Sequence, residues 1–344
     1  MTDARPWCTA RPLRPADRGY GAARIAGPAA GPGRCSSEGT PVERATQVIT
    51  LADGQVEYRL ERRGPGVVLM VHGGHMRAGL PLGEDVFADA GYTILAVSRP
   101  GYGRTPPSTA ASPDGFADVV AALCAELGLG PLAAVVGQSA GGPTAVALTA
   151  RHPDLVERLI LQSAVGVVPW PDRRTRTGAA VVFHPRTEAV TWRLIRALTH
   201  RAPGTALRLL LPNLTARPVA EVLASLTDVQ RGALLDLFGR MRSGAGFTAD
   251  VRATSAAGAA RRLAAVAARV DRPTLVIGSR DDGSVSYAHA RSLAEAIPHA
   301  RLVTSTAPSH MIWFGGDYPA IAAAITDFLR SGTGPSGAPR PTDP

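Results

Sequence analysis

The sequence LAAVVGQSAGG at Leu132–Gly142 decides the fold, because an uncharged apolar run leads directly into a glycine-rich segment around Ser139. Glycines stand two residues before and two residues after this serine. A sharp turn from strand to helix needs small residues there, since larger side chains would collide where the chain bends back. The next segment, PTAVALTARH, has helical composition, and Pro143 is tolerated in a first helical turn. The spacing predicts a strand, a tight turn that presents Ser139 as a nucleophile, and a helix.

A serine nucleophile needs a general base, and the base needs a group that orients it. The sequence RPTLVIGSRDD predicts a buried strand followed by a loop with two acids, Asp281 and Asp282. The sequence ARLVTSTAPSH predicts another strand with His310 in the loop after it. Each candidate follows a predicted strand, at the edge where parallel sheets bind ligands. His289 is the competing base, but SYAHARSLAEAI predicts a helix, and we expect this histidine to be a surface or capping residue.

The fourth part of such a site is a pair of backbone N–H groups that bind the negative oxygen of a tetrahedral intermediate. The sequence GVVLMVHGGH at Gly66–His75 predicts a buried strand that ends in a flexible turn. We assign one donor to the N–H of Gly74, with Gly73 as the alternative. The other donor is Ala140, the residue after the nucleophile.

With these motifs the chain resembles the α/β-hydrolase superfamily. HGG, SRPGYGRT, GQSAGG, GSRDD and SH stand in that family's order, and the resemblance covers the chain from about Thr46 to Arg330. It implies an α/β-hydrolase fold: a mostly parallel eight-stranded sheet flanked by helices, with a helical cap inserted after strand six.

The resemblance also bears on the choice of acid, because the family places it three residues after the glycine that ends the strand. Counting from Gly278 favours Asp281 over Asp282. One departure from the family pattern is Ser98, which stands where many members have an acid at the start of the loop after strand four. This departure puts an anchor of that loop in doubt and leaves the triad unaffected.

Composition along the chain predicts its organisation. Residues 1–44 mix Arg, Pro, Gly and Ala without hydrophobic periodicity, and we expect a disordered leader. Residues 45–166 and 263–330 alternate strand-like and helix-like segments and form the predicted core. Residues 167–262 have apolar residues at helical spacing and form the predicted cap. Residues 331–344 form a second disordered segment, a tail.

Composition also excludes several function classes. All 37 basic residues are arginine, since the sequence contains no lysine. A P-loop, a pyridoxal Schiff base and lysine-dependent aldol chemistry are therefore excluded. The segment GQSAGG lacks the G-x-G-x-x-G spacing of a dinucleotide site. We expect no cofactor.

Charge and cysteine usage restrict the partners. The net charge is +9, but arginine is scattered and aromatic residues make up only 5% of the chain, so we expect no nucleic-acid partner. His72 and His75 form an H-x-x-H pair without a convincing third ligand, and we expect no metal.

The 3 cysteines indicate no disulfide framework, which favours a cytoplasmic location. No apolar stretch reaches the roughly 18 residues of a membrane span, so we expect no membrane partner. The oligomeric state stays open.

These patterns predict a serine hydrolase that cleaves a carboxylic ester of a hydrophobic small molecule, with Ser139, His310 and Asp281 as the triad. The apolar cap is the reason to expect a hydrophobic substrate. Within enzymes, a C–C bond hydrolase, a perhydrolase and an aminopeptidase stay open as alternatives. From another class, a hydrolase-like protein that binds a small molecule without turnover also stays open.

Overall fold

The computed structural model describes residues 43–171, 183 and 186–331, which form a central sheet with helices on both faces. The strands of these residues are β1 Gln47–Leu51, β2 Gly54–Glu61, β3 Val67–Val71, β4 Thr93–Val97, β5 Ala134–Gln138, β6 Leu159–Gln162, β7 Thr274–Ser279 and β8 Ala300–Ser305. Their helices are α1 Asp85–Asp89, α2 Pro113–Glu126, α3 Gly142–Arg151, α4 Glu188–Arg201, α5 Pro203–Leu210, α6 Val219–Ser225, α7 Asp228–Arg240, α8 Gly246–Ser255, α9 Ala259–Ala267, α10 Tyr287–Ala296 and α11 Tyr318–Arg330.

The strand order of the sheet brings the predicted site residues to one edge. The order is β1-β2-β4-β3-β5-β6-β7-β8. Strand β2 is antiparallel to both of its neighbours, β1 and β4, and the strands β4, β3, β5, β6, β7 and β8 are parallel to one another. The carboxyl ends of parallel strands meet at the same edge of a sheet, where open α/β sheets bind ligands. The loops after β3, β5, β7 and β8, which carry the predicted site residues, therefore start from a common edge.

Two hydrophobic clusters, one on each face of the sheet, hold the core together. In β3, Leu69 and Val71 pack in the cluster that includes residues of α2 and α3. The alternate residues Val68 and Met70 pack in the cluster that includes residues of α1 and α11. Successive side chains of a strand point to opposite faces, so a strand covered by helices on both sides is a continuous apolar run, as VVLMV is.

The chain between β6 and β7 contributes no strand to the sheet among its described residues, and it contains the helices α4 to α9. The α/β-hydrolase fold with a helical insertion after strand six is therefore confirmed. The boundary predicted between residues 262 and 263 falls inside α9, which contacts α3 and α10 of the core. The structure therefore places this helix with the core layer.

The predicted leader, 1–44, and tail, 331–344, lie outside the described residues apart from residues 43, 44 and 331. Over the described ranges, none of the helices combines the length and the hydrophobicity needed to cross a membrane.

Candidate active site

Ser139 lies in a strained turn between β5 and α3. Its backbone φ is +49°, a left-handed conformation that costs a residue other than glycine about 1–3 kcal/mol and is concentrated at functional sites. The neighbouring glycines make the turn sterically feasible. A Cβ at Gly137 would lie 2.7 Å from the Cβ of Ala145, and one at Gly141 would collide with the carbonyl oxygen of Val71. The turn predicted from GQSAGG is therefore present.

The acid that contacts His310 is Asp282. Its Oδ2 lies 2.7 Å from His310 Nδ1, and both side chains are buried. The other carboxylate oxygen, Oδ1, accepts hydrogen bonds from the backbone N–H groups of Ser284, at 2.8 Å, and Val285, at 2.7 Å. These two donors fix the carboxylate, which in turn fixes the orientation of the imidazole.

Asp281, which the family resemblance favoured, was the wrong choice for this contact. Its side chain is 35% exposed and lies 3.8 Å from Arg217 at the surface. The reason is local, because the N–H of Asp281 donates to Ser279 Oγ and the N–H of Asp282 donates to Ser279 O as the chain leaves β7. This turn directs Asp281 outward and Asp282 toward His310.

Hydrogen bonds from the segment after β6 reach the backbone of both His310 and Ser139. Ser163 Oγ donates to the carbonyl oxygen of His310 at 3.2 Å. The N–H of Val165 donates to the carbonyl oxygen of Ser139 at 2.9 Å. The N–H of His310 also donates to Leu214 O in the cap, at 2.7 Å. Three strand ends, those of β5, β6 and β8, are therefore linked at the site.

The contact with Asp282 determines what His310 can do chemically. When Nδ1–H donates to the carboxylate, the neutral ring carries its lone pair on Nε2. In this tautomer the imidazole can accept a proton from a hydroxyl, and the carboxylate stabilises the imidazolium that results.

The His-Gly-Gly turn after β3 packs against the serine turn. A Cβ at Gly73 would lie 2.7 Å from the Cβ of Ser139, so only glycine fits there. The amides of Gly73 and Gly74 donate no hydrogen bond within the described part of the chain. The oxyanion-hole assignment of Gly74 and Ala140, with Gly73 as the alternative, stays a prediction, because neither the contacts nor the packing selects one glycine.

A buried charge cluster lies beneath this turn. His72 Nε2 lies 3.2 Å from Glu84 Oε1, and Arg59 Nη2 donates to both oxygens of the same carboxylate. Burial alone would raise the pKa of Glu84, but its contacts with His72 and Arg59 outweigh burial and lower that pKa. His72 therefore belongs to the support of the turn.

The anchor left in doubt by Ser98 is supplied by a glutamate from a neighbouring strand. Glu57 in β2 accepts hydrogen bonds from Ser98 Oγ, at 2.7 Å, and from the N–H of Arg104, at 3.0 Å. Burial works to raise the pKa of Glu57, yet these hydrogen bonds and one from Thr46 lower it. Polar and charged residues alternate with apolar ones along this strand, GQVEYRLE, so no sequence signal singled out Glu57 for this role.

A buried ion pair joins the cap to the turn after β3. Arg99 Nε donates to the carbonyl oxygen of His72 at 2.8 Å, and its two terminal nitrogens pair with Asp250 of α8 at 2.6 and 2.8 Å. The hydroxyl of Tyr102 donates to the same carboxylate at 2.5 Å. Sequence reasoning missed Asp250, because a single acid in a cap helix carries no motif.

His289 is buried beneath the site, so the expectation of a surface residue was wrong. It is 3% exposed, and its Nδ1 accepts a hydrogen bond from the N–H of Gly166 at 3.0 Å. Burial lowers the pKa of this imidazole from 6.5 to about 4. The ring is therefore neutral in the folded protein at neutral pH.

We expect the His289→Asn variant to lose less stability in acid than the wild type. Between pH 6.5 and 4 the unfolded chain binds a proton at His289 that the folded chain does not, so the free energy of unfolding falls as the pH falls through this window. From pH 7.5 to pH 4.5 this residue accounts for a loss of about 2–3 kcal/mol. Asparagine keeps an acceptor for Gly166 and does not titrate.

Urea unfolding at the two pH values measures this loss in the wild type and the variant. His299→Asn is the control, because His299 is exposed, and it should keep the wild-type difference. If the free energy of unfolding of the His289→Asn variant fell between the two pH values by as much as that of the wild type, this imidazole would not lose proton affinity on folding.

The sequence matches known proteins over most of its length. The family model described as alpha/beta hydrolase fold matches residues 66–317. An uncharacterised hydrolase of Bacillus subtilis, YcgS, is 29% identical over 293 residues, which cover 84% of this chain and 100% of the relative. A 2-hydroxy-6-oxononadienedioate/2-hydroxy-6-oxononatrienedioate hydrolase of a Pseudomonas species is 25% identical over 255 residues, 73% of this chain and 83% of the relative.

Among solved structures, an alpha/beta hydrolase fold protein from Nakamurella multipartita superimposes with a TM-score of 0.70. The match covers 83% of this chain and 99% of that protein, at 24% sequence identity. At this level of identity the likeness concerns the fold.

Proposed function

Because the chain belongs to the α/β-hydrolase family, we propose that it cleaves a carboxylic ester of a hydrophobic small molecule through Ser139, His310 and Asp282. The observation that carries the proposal is the buried contact of 2.7 Å between His310 and Asp282, at the sheet edge where Ser139 stands in its strained turn. Acyl transfer through a serine requires a base that is held in one tautomer within reach of the nucleophile, and the contact with Asp282 supplies the first of these conditions.

In this mechanism, His310 Nε2 removes the hydroxyl proton as Ser139 Oγ attacks the ester carbonyl. The amides of Gly74 and Ala140 bind the oxyanion of the tetrahedral intermediate. The imidazolium, stabilised by Asp282, then gives its proton to the departing alcohol and an acyl-enzyme remains. A water molecule, deprotonated by His310, attacks the acyl group, and the acid leaves as Ser139 regains its proton.

The preference for a hydrophobic ester is supported by the rings around the oxyanion loop. Phe247 of the cap covers Gly74, since a Cβ at that glycine would lie 3.0 Å from the phenyl ring. Phe183 lies 5.3 Å from Phe247 between ring centroids, and Trp192 lies 5.6 Å from Phe183. Apolar walls with few polar groups favour substrates with hydrophobic parts.

A second candidate is hydrolysis of a 2-hydroxy-6-oxo acid. It is favoured by one specific observation, the 25% identity to the Pseudomonas enzyme whose name gives that substrate type. The same serine, histidine and oxyanion donors would serve both candidates, so substrate choice separates them.

A substrate panel tests the proposal. We expect the wild type to hydrolyse p-nitrophenyl esters of two to eight carbons with higher kcat/KM than a matched thioester, a lactone or a 2-hydroxy-6-oxo dienoate. The Ser139→Ala protein, prepared in the same way, gives the background of contaminating esterases. A higher kcat/KM for the dienoate would favour the second candidate, and no turnover of any panel member would contradict both.

A further inference from the structure

We propose that His75 is a specificity-determining residue whose Nε2–H donates a hydrogen bond to an oxygen atom beside the scissile carbonyl of the substrate. This inference rests on the proposed ester hydrolysis and adds a substrate class to it. The favoured esters carry an ether, hydroxyl or keto oxygen on the carbon next to the carbonyl.

The backbone places His75 directly after the predicted oxyanion donor Gly74. Its φ is +64°, a conformation that residues other than glycine rarely adopt and that persists where the surrounding structure enforces it. The N–H of Arg242 donates to the carbonyl oxygen of His75 at 3.0 Å, which holds this conformation from the cap side. A side chain at this position starts one residue from the amide that we propose binds the carbonyl oxygen.

The ring of His75 is held by aromatic neighbours and a hydroxyl. Its centroid lies 4.1 Å from that of Phe247, 4.6 Å from Phe183 and 5.2 Å from Trp192. Its Nδ1 lies 2.7 Å from the Oγ of Ser243, in the turn between α7 and α8 of the cap. These contacts restrict the orientation of the ring.

The partners of Ser243 determine which ring nitrogen carries the proton. Trp192 Nε1, which can only donate, donates to Ser243 Oγ at 2.8 Å. The hydroxyl is fully buried, and the acceptor that the described residues offer its proton is His75 Nδ1. An unpaired buried O–H is costly, so Nδ1 accepts and the proton of the neutral ring is on Nε2.

The ring stays neutral because burial and the positive charge of Arg99 lower the pKa of His75 to about 3. The N–H at Nε2 makes no hydrogen bond within the described part of the chain. His75 as a residue is partly buried, whereas His72 is buried. His75 therefore presents a fixed donor beside the oxyanion loop, with its acceptor still to be supplied.

The substrate class follows from this position. In the proposed mechanism the amide of Gly74 binds the carbonyl oxygen, so a donor on the next residue is suited to an acceptor one carbon away. A site that donates to a substrate oxygen discriminates against the analogue that lacks it, because the donor is then left unpaired.

Two near-isosteric esters test the proposal, p-nitrophenyl methoxyacetate and p-nitrophenyl butyrate, which differ by an ether oxygen in place of a methylene. The measured quantity is the ratio of kcat/KM for the two esters in each variant, divided by the same ratio in the wild type. This division removes the intrinsic difference in reactivity between the esters.

The variants His75→Asn and His75→Gln separate donation to substrate from a structural role. Asparagine tolerates a positive φ and places a carbonyl oxygen near Ser243, but it does not reach the position of Nε2. Glutamine places an N–H near that position and loses the contact with Ser243. We expect His75→Asn to lower the normalised ratio about three- to tenfold, and His75→Gln to lower it less than about twofold.

A purely structural role predicts the reverse, with both esters slowed equally and the larger loss in His75→Gln, and this result would overturn the proposal. The dissociation constants of the two intact esters, measured in the Ser139→Ala background with and without His75→Asn, give a readout that needs no turnover. A wild type that hydrolyses neither ester would contradict the proposed function alone. If the Ser139→Ala protein with His75 intact bound both esters with equal affinity, the role of His75 would be contradicted as well.

Discussion

Asp282→Asn is expected to lower kcat for ester hydrolysis by about 10³- to 10⁴-fold, while Asp281→Asn stays within about twofold of the wild type. The asparagine side chain fits the site, because its carbonyl oxygen can accept from the N–H groups of Ser284 and Val285 as the carboxylate does. Its amide then donates to His310 Nδ1 and holds the imidazole in the wrong tautomer, with the proton on Nε2.

The variants Asp281→Asn and Asp282→Asn form a matched pair, because the two acids are adjacent in sequence and differ in burial. Asp281 is partly exposed and pairs with Arg217 at the surface, so its substitution removes a weak contact. Steady-state rates on a p-nitrophenyl ester, with circular dichroism to check folding, decide between them. A large loss in Asp281→Asn with little change in Asp282→Asn would reverse the assignment.

The parts of the fold that the sequence predicted well are those with local signals. The strand, turn and helix around Ser139 follow from glycine spacing and apolar composition within about twenty residues. Continuous apolar runs such as VVLMV predicted buried parallel strands, and helical spacing predicted the cap. Each of these signals reflects sterics or hydrophobic periodicity, which short segments carry by themselves.

The choice between the two acids depended on a finer detail than spacing. Counting from Gly278 took no account of Ser279, whose side chain and carbonyl oxygen bind the next amides and set the turn. A shift of one residue in such a loop exchanges the inward and the outward side chain. Motif spacing therefore located the acid loop but not the acid.

Long-range contacts were beyond the sequence patterns. Glu57 replaces a missing acid from a different strand, 41 residues before Ser98. Asp250 of the cap pairs with Arg99, 151 residues away in sequence, and Ser243 of the cap contacts His75 after β3, 168 residues away. Such pairs have no period or motif, so they follow only from the packing of the whole chain.

Ser139→Ala is expected to lower ester turnover by at least about 10³-fold and to leave the folded structure unchanged. The loss follows because Ser139 Oγ is the proposed nucleophile and alanine has no hydroxyl. Ser163→Ala is the control, because Ser163 also stands at a strand end with a positive φ, of +47°. Its hydroxyl binds only the backbone of His310 among the described residues, and we expect activity within about tenfold of the wild type.

The reactivity of the Ser139 hydroxyl through His310 is tested most directly by covalent labelling with a fluorophosphonate, followed by peptide mass spectrometry. We predict one label per protein molecule, located on Ser139, with labelling slowed by at least about 10²-fold in His310→Ala. A folded protein that is labelled at another residue, or labelled equally fast without His310, would contradict the account.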